Sequence, residues 1–269
     1  MIDLAVIASR AHLDQLSARG SIDMALTHLV LDHPAYAAYY RARAEAGITV
    51  MLDNSAYELE TETGQGMSAV PVLNAAAQIN ASVVVCQDVL YDGPTTVAAT
   101  EQFLIQAADI GAGPYRFMGV PQGRTRTEWL VCYDRLAAMP GVDMIGLSKL
   151  SVPRCFDAPV AEARLACVDQ LFCLGIPKPL HLLGGDRRLP WELTEHRRRS
   201  HDDIVRSHDS SFAYWYAACA IPVDATAGQA AAEAPTKPEL VITILDGIRL
   251  ATALEYVTLL RRAAGLNAF

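Results

Sequence analysis

Short, continuous runs of aliphatic and β-branched residues alternate with helix-patterned segments along this chain. That alternation constrains its fold more than any other feature. Candidate strands are Leu4–Ala8, His28–Asp32, Thr49–Asp53, Ser82–Asp88, Tyr115–Pro121, Asp143–Ser148, Pro179–Leu183 and Asp203–Ser207. Most read as unbroken Val/Ile/Leu runs rather than alternating ones, as expected for parallel strands covered on both faces. Helical patterns lie between them: Pro34 to Ala46, Ser68 to Asn80, Pro94 to Ile110, Thr125 to Met139, Ala158 to Leu174 and Arg188 to Ser200. Thr95 or Thr96 is the expected cap of the third, and Gly111 and Gly175 the stops of the third and fifth. Eight βα units in 269 residues predict a single α/β domain, a (β/α)8 TIM barrel, whose usual length is about 250 residues. A doubly wound open sheet fits less well, because the first strand runs into Ser9-Arg10-Ala11-His12 and not into a glycine-rich phosphate turn.

In such a barrel, chemistry gathers where strands end. The stretch Ile204–Phe212 reads as a strand that leads into His208 and Asp209, followed by two serines that could cap a helix running from Phe212 to Ala220. Asp53 and Asp88 close two earlier strands in the same way. Other strand ends carry Gln122-Gly123, Gly146-Leu147-Ser148-Lys149 and Gly184-Gly185. Three carboxylates at three strand ends favour an enzyme over a scaffold.

Composition narrows the setting. The chain is 52% hydrophobic and 19% charged, which supports a large core and argues against disorder. Its first residues carry no positive region, and no apolar run reaches the roughly 18 residues a membrane span needs. A soluble cytoplasmic protein is expected. Six cysteines without a CxxC pair read as buried free thiols and give no zinc spacing. The net charge of −8 opposes a broad nucleic-acid footprint. Locally, however, Arg187, Arg188, Arg197, Arg198, Arg199 and Arg206 fall within 20 residues. They precede the Asp209 strand, so their exit loop is expected near the active mouth, where they would hold phosphates. Residues 225–238 read as a loop or linker, and Glu239 to Ala264 as a long amphipathic helix.

The strand ends, taken together and in order, resemble the tRNA-guanine transglycosylase superfamily, including its phage and bacterial relatives that place 7-deazaguanines in DNA. That family's DSGxF, D-[EV]-[CL], VQGG, GLSVGE and D-[CS]-x signatures are matched here by Asp53-Asn54-Ser55-Ala56-Tyr57, Asp88-Val89-Leu90, Pro121-Gln122-Gly123, Gly146-Leu147-Ser148-Lys149 and Asp209-Ser210-Ser211. The likeness covers residues 50 to 212 and implies a (β/α)8 barrel that exchanges guanine for a 7-deazaguanine (preQ0-like) base. It implies Asp209 as the nucleophile on C1′ and Asp53 as the general acid and base. Asp88, Gln122 and the backbone of Gly146 would read the base edge. Ser55 and Lys149 would also contact substrate, Lys149 at a phosphate, and Tyr57 or Phe117 would stack on the base. The tRNA enzymes carry a CxCxxC…H zinc site after the nucleophile; here only Cys219 follows Asp209. No zinc cofactor is therefore implied, and DNA is the expected polymer rather than tRNA.

The residues also admit other readings. An N-glycosidase or base-exchange enzyme on free nucleosides would use the same pocket and suit the acidic net charge. A non-catalytic purine-binding module would keep the pocket without the chemistry, and Asp53, Asp88 and Asp209 could instead hold a hard metal ion. Any one of the three aspartates could instead cap a helix, a reading that suits all three together less well. His181 reads as a satisfied core histidine, His208 as structural, and the arginine-rich helix as a solvated face.

Overall fold

The computed structural model describes residues 1–56, 65–111, 113–175, 178–235 and 244–268. Its parallel strands are β1 (Asp3–Val6), β2 (Asp23–Leu26), β3 (Val50–Asp53), β4 (Val83–Val85), β5 (Arg116–Gly119), β6 (Val142–Ser148), β7 (Leu180–Leu183) and β8 (Val205–Ser210). They pair in the order β1-β8-β7-β6-β5-β4-β3-β2. No ladder joins β1 to β2 among the described residues. The Leu4 carbonyl closes that seam by accepting from Ser21 N at 2.9 Å and Ile22 N at 3.4 Å. The chain is a single-domain (β/α)8 barrel, as the alternation predicts.

Helices α1 (Thr27–Asp32), α2 (Pro34–Glu45), α3 (Ala69–Ile79), α4 (Gly93–Asp109), α5 (Arg126–Ala138), α6 (Ser151–Phe156), α7 (Val160–Leu174), α8 (Leu189–Arg198), α9 (Phe212–Ala218) and α10 (Gly247–Ala264) cover the outside. Among the described residues no helix is long and apolar enough to cross a membrane. Two apolar layers lie between sheet and helices. One joins β2 to β4 with α1 to α4, and the other joins β1 and the later strands with α5 to α10. Inside the ring a third, smaller core stacks Ala5, Met24, Met51, Val83, Val85, Met118, Val120 and Met144. These inward residues alternate with outward ones along each strand.

Several boundaries differ from the sequence reading. Residues 28–32 belong to helix α1, and the second strand lies earlier, at Asp23–Leu26. Met24 to Leu31 is apolar almost throughout, so periodicity alone cannot say where strand passes into helix. The fourth strand stops at Val85, whereas β8 runs on to Ser210, which places Asp209 inside a strand and not beyond its end. Ser210 Oγ accepts from Phe212 N at 2.9 Å, while Ser211 makes no side-chain cap. Helix α4 is capped by Asp92, which accepts from Thr95 N at 3.0 Å, and Thr96 instead bonds the Val89 backbone. Cys86, Cys132, Cys155 and Cys167 are buried free thiols, Cys219 is half-buried and Cys173 is exposed.

Of the segment read as a loop or linker, residues 225–235 are described, and they are docked. Strands β9 (Val223–Asp224) and β10 (Gln229–Ala230) form a small hairpin, and Gly228 O accepts from Trp191 N at 3.0 Å. Beyond it, Tyr216 donates to Glu233 at 2.7 Å and Trp215 Nε1 donates to Pro235 O at 2.8 Å. The last helix begins at Gly247, capped by Asp246, later than the Glu239 expected; residues 236–243 lie outside the described ones.

Gly146 sits within the barrel. A Cβ there would meet Leu183 Cδ1 at 2.6 Å, Met118 Sδ at 2.9 Å and Val120 Cγ2 at 3.2 Å. Packing thus demands a glycine whatever the backbone also does for a ligand. Gly146→Ala is expected to lower the unfolding free energy by about 1–3 kcal/mol, measured by urea denaturation.

Candidate active site at the C-terminal mouth of the barrel

Strand β8 sets the first half of the site. Its inward residues, Ser207 and Asp209, face the inward His181 of β7. His181 Nδ1 lies 2.6 Å from Ser207 Oγ, and His181 Nε2 lies 3.0 Å from Asp209 Oδ1. A carboxylate oxygen only accepts, so the imidazole proton sits on Nε2 and the serine hydroxyl faces Nδ1. Gly184 N–H donates to the same Oδ1 at 3.2 Å. Asp209 Oδ2 accepts no hydrogen bond among the described residues. Burial pushes the Asp209 carboxyl upward, but the His181 hydrogen bond, the neighbouring imidazoles and the Gly184 amide outweigh it and hold the group below the usual carboxylate range. Asp209 is therefore an anion at neutral pH, with one oxygen braced.

The brace is itself held from outside the ring. Gly184 adopts φ +67°, and a Cβ on it would meet Lys149 Cδ at 2.7 Å, so the Lys149 stem lies across this turn. The Gly184 carbonyl accepts from Arg164 Nη1 at 2.8 Å and from His208 Nε2 at 3.1 Å. Arg164, wholly buried on α7, makes a two-pronged pair with buried Glu192 of α8, each contact 2.7 Å. Burial would raise the Glu192 carboxyl, yet the Arg164 charge, the nearby His196 and the Arg164 hydrogen bonds bring it down to about 2. Burial and the Arg164 charge push His208 down to about 3, against the pull of Asp209, so its ring is neutral and serves the turn. Nothing in the sequence flags Arg164, one of three charged residues, with Glu162 and Asp169, in a mostly apolar helix. His181 is satisfied in the core as expected, but its partner is Asp209.

The second half forms after β3, β4 and β5. Asp88, 3% exposed, accepts from Asn54 Nδ2 at 2.8 Å on one oxygen and from Gln122 Nε2 at 2.6 Å on the other. Gln122 Oε1 in turn accepts from Tyr91 N at 3.2 Å. Asn54, the altered residue of the Asp53 turn, thus orients Asp88, and it also donates to Cys86 O at 2.6 Å. Burial lifts the Asp88 carboxyl to about 6, although both amide bonds favour its charged form. Asp53 ends β3, and its Oδ2 accepts from Ser55 N at 2.8 Å. Ser55 has φ +61°, is fully buried, and places its hydroxyl 2.9 Å from His28 Nδ1. Its hydroxyl is engaged with the wall of the barrel. Tyr57 lies outside the described residues, and Phe117 packs against Phe103 and Tyr115.

Asp53, Asp88, Gln122, Lys149 and Asp209 therefore share the C-terminal end of the ring. The arginines do not. Helix α8 returns antiparallel to β7, so its last turn and the start of β8 lie at the opposite end. Arg197 donates there to Arg262 O and Ala263 O at the end of α10. Arg198 pairs with Glu195 at 2.8 Å and Arg199 with Asp169 at 2.5 Å, while Arg206 is exposed at the second position of β8. The expectation that their loop opens at the mouth is reversed by this topology. Arg187 stays at the C-terminal end, where its backbone N–H donates to Glu233 at 3.2 Å. Arg188 joins it there, paired with Glu162 and lying over the Trp191 ring.

Among the described residues no group of three or more His, Cys, Asp or Glu side chains is arranged to hold a metal ion. Compared with known proteins, the chain matches no protein-family model and no curated sequence.

Asp88 gives a signed pH effect. Its folded pKa, about 6, lies above the ordinary 3.8, so the stability it contributes is complete below that ordinary value and is lost as pH rises through the folded one. Relative to Asp88→Asn, the native protein is expected to gain about 1 kcal/mol in unfolding free energy between pH 7 and pH 5, read from paired urea titrations.

Proposed function

We propose that this barrel is a base-exchange glycosyltransferase that replaces guanine with a 7-deazaguanine in a polynucleotide through a covalent Asp209 intermediate. The carrying observation is Asp209 itself, ionised, braced through Oδ1 and with Oδ2 accepting no bond among the described residues, at the barrel end that also holds Asp53 and Asp88. A purine leaves a sugar through an oxocarbenium-like state that a carboxylate traps, and a second carboxyl must give and take the base proton. Asp53, at the end of β3 and half-buried, suits the second role. Asp88, fixed by two amides, suits the recognition of amino and ring N–H groups. A polymer substrate would have to present its target nucleotide flipped from the stack.

One observation favours a second reading, base exchange or hydrolysis on free nucleosides. Arg197, Arg198, Arg199 and Arg206 are remote from the mouth, and two of them are already ion-paired. That leaves less cationic surface beside the site for a phosphate backbone.

Denaturing-gel trapping separates the two. With guanine-containing single-stranded DNA, duplex DNA or tRNA, a covalent band that disappears in Asp209→Ala is the expected result, and the polymer that gives it is the substrate. No band with any polymer, while free nucleoside is cleaved, would support the nucleoside reading; inactivity on both would reject transglycosylation. Base capture is further expected to weaken as pH falls through about 6, as Asp88 is protonated, seen as a rise in KM for the incoming base.

A further inference from the structure

Both hydrogen bonds to Asp209 converge on Oδ1: His181 Nε2 at 3.0 Å and the Gly184 amide at 3.2 Å. Oδ2, the oxygen left for C1′, becomes an ester oxygen when the sugar is attached, and Oδ1 becomes the ester carbonyl. Two donors on that carbonyl oxygen are arranged like an oxyanion hole, but around the enzyme's own carboxyl group. We infer that His181, locked by Ser207 and seconded by Gly184, is a positioning residue that makes Asp209 a good leaving group and so sets the lifetime of the covalent intermediate. This rests on the proposed Asp209 chemistry.

The balance of the exchange is explicit. In the first step Asp209 Oδ2 bonds to C1′ as the bond from C1′ to the base nitrogen breaks, and Asp53 supplies that nitrogen with a proton. In the second, the incoming base nitrogen bonds to C1′ and its proton passes to Asp53. The bond from C1′ to Oδ2 breaks, and its electron pair returns to the carboxylate. His181 keeps its proton throughout. Its Nε2–H lowers the basicity of the carboxylate, which weakens Asp209 as a nucleophile and strengthens it as a leaving group. The two effects have opposite signs on the two steps. A residue that merely supports the fold would slow both.

His181 is placed for this and for little else. It is fully buried, and Ser207, two residues before Asp209 on β8, lies one inward layer deeper in the barrel at 5% exposure. The Ser207–His181–Asp209 array thus has its serine turned away from the mouth, unlike a hydrolytic triad, whose serine must meet substrate.

The test compares native protein, His181→Phe, which removes the donor, and His181→Gln, which keeps an N–H near the Nε2 position. Formation and breakdown of the covalent adduct are timed separately by rapid quench with the polymer or nucleoside that labels native protein. His181→Phe is expected to form the adduct at least as fast as native protein and to release it about 100-fold more slowly, with His181→Gln restoring most of the release rate. Equal slowing of both steps, or an unchanged adduct lifetime, would overturn the inference while leaving the transglycosylase reading intact. Absence of any adduct in native protein would overturn both. Ser207→Ala, a milder change, is expected to prolong the adduct to a smaller degree and replaces His181→Phe if that variant does not fold. Carbon NMR of the Asp209 carboxyl gives a readout independent of turnover: its titration should move upward in His181→Phe and stay in place in His181→Gln. No upward movement in His181→Phe would overturn the inference.

Discussion

The pairing of Arg164 with Glu192 lies wholly out of water, between α7 and α8, and its spare guanidinium nitrogen is spent on carbonyls at the end of β7. Leaving either charge alone in such a place costs about 3–5 kcal/mol. The pair therefore fixes the two helices and the Gly184 turn as one unit. Because Gly184 touches Asp209 through its amide and His208 and Arg164 through its carbonyl, the geometry of Asp209 is set from outside the ring. The thread continues downward: Glu192 stands 3.6 Å from His196, whose Nδ1 lies 3.0 Å from His201 Nδ1, and His201 reaches Asp169 at 3.0 Å. A line of polar groups thus runs through the helical layer from one end of the barrel to the turn at the other.

On the far side of the mouth the same principle appears with weaker partners. Asp88 is held by two side-chain amides and not by a cation, so burial wins and its carboxyl rises, whereas hydrogen bonds and neighbouring imidazoles win at Asp209. Two buried aspartates in one barrel are thereby driven apart in acidity. Separation of this kind is what assigns different proton roles to carboxyl groups that are identical in isolation.

Much of this was legible in the residues. Alternating apolar runs were enough for the barrel, and the convergence of Asp53, Asp88, Gln122, Lys149 and Asp209 on one end followed from strand ends alone. What stayed hidden depended on partners far apart in sequence. His181 and Asp209 are separated by 28 positions, and so are Arg164 and Glu192; no local pattern joins either pair. The first helix was misread because an apolar run from Met24 to Leu31 carries no period that distinguishes strand from helix. The arginines were misplaced for a topological reason. Nearness in sequence to the Asp209 strand means nearness to its start, and the end that carries Asp209 is the other one.

The ring's hydrogen bonding also bears on how the chain comes to be folded. Among the described residues, strand β1 has its ladder with β8, and its outward Leu4 and Val6 belong to the layer built by α5 to α10. During synthesis the segment β2 to β4 can collapse with α1 to α4 on its own layer, while β1 waits for a partner encoded some two hundred residues later. Closing that long loop is entropically slow. The pairing that brings Asp209 into register with Ala5 cannot form before β8 has been made, so closing this ladder and placing Asp209 opposite β1 go together.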